Sequence, residues 1–368
     1  MGQTALARKA GISASLLSKI EVGDRALSQG VAASIAAALG CTLNELLGKA
    51  STEPANKEKL TELRGVIRRF DCPGDPPSGS EKIQAGLSDL FKLRGEANLG
   101  GVLNHLPNLL ESATNYAHSV GTPDAWSSVA DVYSGVYWLA ARHRWMDLAD
   151  LAVVRQRMAA ERANPLTVAI ASRDEAGTFL NGGDFATGLA VVDRAVTEAE
   201  GRLSGKARAF GLGILHLRGL TLAGRIMDKR VAARHQQEAL RWADEIPQDV
   251  GDHGIHFGPE NTATHVMATY VDMERYADAI STMEGIEREP ITLPATRVGP
   301  LHMNAARAHL ALGNREKALD SLSEAWEIAP QMARVHPHSQ ETLRVLTSLH
   351  RRSNRRLMAL AKRAGIPH

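Results

Sequence analysis

The chain has 368 residues, with 43 Lys and Arg against 41 Asp and Glu, a formal charge of +2, 44% hydrophobic side chains and 4% aromatic ones. That length suggests two or three domains, or one small domain plus a repeat array, with enough apolar content for a real core. A balance this near neutrality gives no bulk charge to advertise nucleic-acid binding, and few aromatics beside abundant Ala and Leu favour packed helices over sheets.

The first residues hold no basic region leading into an apolar run, and no run of about 18 uninterrupted apolar residues occurs anywhere, so neither a secretory signal nor a membrane span is expected. Cys41 and Cys72 are the two cysteines. Together these features predict a cytoplasmic protein without structural disulfides, the cysteines being buried or incidental rather than a redox switch.

In chain order, Leu6, Ala7 and Ala10 fall at helical spacing and Gly11, which tolerates positive φ, ends the first helix. Ser13 is a good N-cap, and Leu16, Leu17 and Ile20 carry a second short helix over about Ala14 to Glu21. Two short helices joined by Gly11-Ile12-Ser13 have the geometry that sets a second helix in a DNA major groove.

Gln3-x-x-Leu6-Ala7, Gly11-Ile12-Ser13, Leu17-Ser18-x-Ile20-Glu21-x-Gly23, Ala36-x-x-Leu39-Gly40 and Leu43-x-Glu45-Leu46-Leu47 together resemble the XRE family of Cro-repressor-like helix-turn-helix proteins. The resemblance implies that Ala14, Ser15 and Lys19 face the groove, with Leu17 and Ile20 inside beside Leu6, Ile35 and Leu39. Gln3 resembles the glutamine that grips phosphate or a base edge; Ser13, Ser18 and Arg25 complete the DNA-binding candidates, Arg25 offering a charge-assisted fork. Members normally carry a further helix before that glutamine, closing the core; here the first helix is read as missing, either because the start is assigned too late or because the helix is truly lost. Its loss removes apolar surface at ~25 cal/mol per Å², against a stability of only ~5–15 kcal/mol, so weak DNA binding by this chain is an expectation.

Residues 1–50 are therefore read as the DNA-binding domain and 51–80 as a linker. The linker carries one amphipathic helix, Leu60 to Phe70, with Leu60, Leu63, Ile67 and Phe70 on one face, then a Pro/Gly/Ser-rich break from Asp71 to Ser80. From residue 81 to 368 helix follows helix. Breaks at Asn181–Phe185, Met273–Tyr276 and Leu312–Arg315 each end one apolar helix and open another. Between Pro300 and Pro330, Ala306, Gly313, Ala318, Leu322 and Ala325 match the tetratricopeptide pattern, in which small residues let paired helices cross closely. Counterparts of Ala318 fall at Ala279, near Ala233, at Gly188 and at Ala149, longer and less regular spacings than that repeat. The fold class predicted is all-α: a helix-turn-helix domain followed by a TPR-like α-solenoid of about five or six helix pairs, able to dimerise and bind an effector.

His256-Phe257-Gly258-Pro259-Glu260-Asn261-x-x-x-His265, Ala305-x-Arg307-Ala308, Ile328-Ala329-Pro330 and Arg334-x-His336-Pro337 also resemble a group of actinobacterial regulators that join an XRE-type domain to a helical TPR-like region. That resemblance implies transcription regulation and names no ligand. His256, Asn261 and His265 are the ligand-binding candidates, on a loop with Pro259 starting the next helix. Asp252, His253, His256 and His265 could alternatively hold a metal, but no closed ligand set accompanies them, so no metal or cofactor is expected. Trp126, Tyr133, Tyr137, Trp138 and Trp145 read as core. Arg344, Arg351, Arg352, Arg355, Arg356, Lys362 and Arg363, with Leu343, Leu346, Leu349, Leu357 and Leu360, read as a capping helix pair with a basic solvated face. With no phosphate loop, nucleophile elbow or Cys/His dyad, catalysis is not expected. The partners anticipated are a double-stranded DNA operator, a second copy of the chain, and a peptide, small molecule or protein effector. The other reading is a TPR-like interaction scaffold with a vestigial reader.

Overall fold

The computed structural model describes residues 1–47, 54–350 and 354–365. Among them lie twenty α-helices and one short hairpin, grouped in two compact units. One unit comprises Met1–Gly48, Gly224–Asp228 and Ala263–His368; the other comprises Lys49–Ala223 and Lys229–Thr262. The first break, between Gly48 and Lys49, lies beside the expected boundary at residue 50; the later breaks follow contact between segments distant in sequence, and none falls at residue 80.

In the second unit, α5 (Pro54–Arg68), α6 (Glu81–Gly95), α7 (Leu99–Val120), α8 (Pro123–His143), α9 (Met146–Ala160), α10 (Pro165–Gly182) and α11 (Phe185–Arg202) follow one another. They are joined by α12 (Gly205–Arg225) and α13 (Lys229–Asp244). Starts and stops follow local chemistry. Pro123 and Pro165 occupy first-turn positions where no N–H is needed, Asn164 Oδ1 accepts from Thr167 N, and Gly183 ends α10 at φ 87°. The helix expected within the linker begins earlier, at Pro54, and it packs on α7. Leu63, Ile67 and Phe70 are fully buried there, so this segment belongs to the core of its unit. The following loop is held to α7 by Gly74 N–H donating to Asn115 Oδ1 at 3.0 Å.

Helix α8 is the centre of this unit, packing on α6, α7, α9 and α10. Trp126, Tyr133, Tyr137 and Trp138 are all buried in it, while Trp145, just beyond, is half-buried and stacks on His143. Small residues make room: the Cβ that Gly213 lacks would stand 2.0 Å from the Phe257 ring. Ala149 is fully buried and Gly188 lies against Leu222; of the residues near position 233, the buried alanine is Ala232.

The chain is all-α in class, as expected, with one short hairpin added. Val250–Asp252 (β1) and Ile255–Phe257 (β2) pair antiparallel in the register Val250↔Phe257, Gly251↔His256, Asp252↔Ile255. His253 and Gly254 form the two-residue turn with φ of 50° and 68°, the positive values that match strand twist. Three-residue strands are too short for alternation to reveal them in sequence.

The first unit holds the N-terminal helices α1 (Gln3–Lys9), α2 (Ala14–Glu21), α3 (Gln29–Leu39) and α4 (Leu43–Leu47). It also holds most of α14 (Pro259–Asp272), then α15 (Tyr276–Ile286), α16 (Ala295–Ala311), α17 (Arg315–Ile328), α18 (Pro330–Val335), α19 (Pro337–His350) and α20 (Arg355–Ala364). Helices α16 and α17 pack together across Gly313, at φ 80°, burying Ala305, Ala306, Ala308, Ala318, Leu322 and Ala325. Ala279 is buried with Met267, Val271 and Met283. Asp272 binds Arg225 and Arg307, each at 3.1 Å, which ties the 224–228 turn to α14 and α16. Leu343, Leu346, Leu357 and Leu360 are buried and Leu349 is half-buried. Arg344 pairs with Glu341, Arg356 with Asp320 and Arg363 with Glu327. Arg355 and Lys362 are exposed; Arg351 and Arg352 lie outside the described residues.

Candidate nucleic-acid interface

Helix α1 closes on the Gly11 turn, at φ 67°, and Ser13 caps α2 by accepting from Leu16 N at 3.0 Å. Ala7, Leu17 and Ile35 form the buried centre, with Leu6, Ala10, Ile12, Leu27, Val31 and Leu46 packed around it. Ile20 is half-buried. Leu39, expected as a core neighbour, is 45% exposed. The inward positions of α3 are instead Ala32, Ile35, Ala36 and Ala38, mostly small side chains that allow close helix approach.

This packing leaves Ala14, Ser15 and Lys19 exposed together on α2, Ser13 exposed at its start and Ser18 half-buried. The turn after α2 is closed by Asp24 N and Arg25 N, which donate to the Lys19 carbonyl at 2.8 and 3.1 Å. Two candidates already have partners. Gln3 Nε2 donates to Glu21 Oε2 at 2.6 Å, and Arg25 Nη2 binds Glu274 Oε1 at 2.9 Å. Glu21 belongs to the quoted motif, but its pairing was not read from it; Glu274 lies 249 positions from Arg25, beyond any local signal.

The ligand candidates do not fall in one unit. Asn261 is buried and its Nδ2 donates to the His256 carbonyl at 2.8 Å; the N–H groups of Glu260 and Asn261 donate to Asp249, each at 2.8 Å. Asn261 thus fastens the hairpin to the start of α14. His265, in the other unit, contacts Arg297. Pro259 does start the helix after the hairpin. Among the described residues no group of three or more His, Cys, Asp or Glu side chains is arranged to hold a metal ion.

A polar centre without a sequence signal lies inside α8–α10. Asp174 Oδ2 accepts from Ser134 Oγ at 2.7 Å and Gln156 Nε2 at 3.1 Å, while Asp174 Oδ1 binds Arg173 at 2.7 Å. Asp131 receives His253 Nδ1 at 2.8 and 2.9 Å. Burial raises the Asp131 carboxyl above its usual range. Burial alone would lower His253, but the Asp131 bond and charge outweigh it and raise the imidazole, so the pair keeps protons to higher pH than either group would in water.

A family model described as helix-turn-helix matches residues 2–46, the four N-terminal helices up to Leu46, and the segment is a helix-turn-helix of XRE type. No curated protein matches the chain. Among the described residues no helix is long and apolar enough to cross a membrane.

Proposed function

We propose that the protein is a sequence-specific DNA-binding transcription regulator. The observation that carries this reading is the exposed Ala14, Ser15 and Lys19 face on the capped second helix of an XRE-type helix-turn-helix. Helices of this kind read base edges through their N-terminal residues, while serine and lysine side chains fix register on phosphate. The chain acts as a two-fold dimer on an inverted repeat, since two readers double the contact set. Its remaining helices form a TPR-like array of stacked pairs, in keeping with the tight α16–α17 pairing and the buried small residues at Ala149, Gly188, Ala279 and Ala318. That array senses a small molecule, peptide or protein whose unequal affinity for two arrangements alters the spacing of the readers. The protein acts in the cytoplasm and is not an enzyme.

A second reading is favoured by a specific observation: Gln3 and Arg25 are engaged by Glu21 and Glu274. On that reading the chain is a protein-interaction scaffold with a vestigial reader. Genomic DNA pull-down with sequencing at stated salt separates the two, because phosphate-driven affinity depends on salt. Enrichment of a shared inverted repeat, lost in a Ser15→Glu, Lys19→Glu variant, supports the regulator; no enriched sequence at low salt favours the scaffold.

A further inference from the structure

Both carboxylates of the polar centre are committed, and one guanidinium is left over. Arg94, in the last turn of α6, is 4% exposed, yet its Nε and Nη1 have no hydrogen-bond partner. It lies within electrostatic reach of Asp174 and Asp131, but Asp174 already accepts from Arg173, Ser134 and Gln156, and Asp131 from His253. Burial lowers its pKa to about 10, so it remains a cation at neutral pH. A buried charge is ordinarily paired, and one without a direct partner calls for a missing counter-charge. Its close neighbour is aromatic, the Trp138 ring centre standing 5.7 Å from the guanidinium, and Arg173 adds positive field.

The covering element is thin. Gly254 has no side chain, and a Cβ there would stand 2.6 Å from Arg94 Nη1 and 2.7 Å from Phe91 Cδ1, so bare backbone covers the cation. The β1 strand is exposed along its length. The hairpin base is fixed by Phe257 in the Gly213 notch, while the tip is held by the His253–Asp131 bond.

We propose that Arg94 anchors a small anion bearing carboxylate or phosphate oxygens, seated beneath the His253–Gly254 tip, which lifts to admit it. Such a ligand supplies acceptors for Arg94 Nε and Nη1, which no carboxylate of the chain reaches, through charge-assisted hydrogen bonds. The inference deepens the sensing half of the proposed function and rests on it for its regulatory meaning. Binding is measured without DNA, so its failure and that of operator recognition are distinguishable.

The test is calorimetric titration of the full chain with inorganic phosphate, citrate and acetate against chloride at fixed ionic strength. At least one anion should bind saturably, with affinity falling about tenfold or more in Arg94→Met. Arg94→Lys, which keeps the charge, should recover part of it. His253→Ala leaves Arg94 in place and frees the tip; it should bind and release the same anion faster in stopped-flow fluorescence. No saturable binding of any of the three, or equal binding by Arg94→Met, overturns the proposal. Should Arg94→Met fail to fold, unchanged kinetics in His253→Ala overturn it.

Discussion

The N-terminal helices and the body around α8 treat polar side chains in opposite ways. In the former, the buried centre is Ala7, Leu17 and Ile35, and Ser15 and Lys19 stand exposed. In the latter, Ser134, Gln156 and Asp174 are interior and bonded to one another. An exposed polar face can be remodelled at little cost to stability and acts on whatever meets it. An interior polar set is fixed by its own members, so removing one strands the rest.

Ways to break that contrast begin with the interior. Asp174→Ala leaves Ser134, Gln156 and Arg173 without their acceptor, and should cost ~3–5 kcal/mol, read as a lower urea midpoint. A loss under ~1 kcal/mol would show that the interior set relaxes as a surface does. Acid comes next. Burial pushes His216 and His235 down to about 4 and about 3, their Nδ1 atoms lying 3.0 Å apart. In the unfolded chain they titrate near 6.5, so the stability held by their neutral forms is full above that pH and drains as pH falls toward 4. The loss by pH 5 is about 2 kcal/mol per histidine. Denaturation midpoints from pH 7 to 5 measure it, and a His216→Asn, His235→Asn double variant should flatten the slope.

Changes on the exposed face should leave stability alone and alter binding. Lys19→Ala should weaken operator binding by ~1–3 kcal/mol where it reads a base, or reduce the salt slope by about 1 where it meets phosphate. An accompanying fall in the urea midpoint would show that this face also serves the fold. Ser13→Ala removes the α2 cap and should cost ~1 kcal/mol of stability. The smallest effect belongs to Glu274→Ala. Its pair with Arg25 is 44% and 45% exposed, so the change should be ~0–1 kcal/mol, measured by the same denaturation.

The contrast also separates what sequence can and cannot reveal. The Ser13 cap, the Gly11 turn and the buried Leu17 are dictated by residues within a few positions, and the cap with the apolar spacing places α2 over Ala14–Glu21. The helix breaks at Gly183 and Gly313 were legible for the same reason. Leu39 differs: the resemblance puts it beside Leu17, but it is the last residue of α3, before the Gly40 stop, and stays 45% exposed. The interior set had no signal at all: His253 lies 122 positions from Asp131, and Ser134 lies 40 from Asp174. Those pairings exist only once the helices have packed. Asn261 was singled out as a ligand residue on the strength of its type, while its geometry fastens a hairpin that the sequence did not disclose.

The compact unit containing the reader is assembled from three stretches, the last of which is Ala263–His368. The N-terminal helices nonetheless have a centre of their own, Ala7, Leu17 and Ile35, and what the last stretch adds is pairing: Glu274 binds Arg25 and Glu341 accepts from Leu27 N. A copy cut before Ala263 would therefore keep that centre, while Arg25 and the Leu27 N–H stood without those acceptors. The far end of the chain thus sets how many donors the N-terminal helices have to offer, not whether their centre closes.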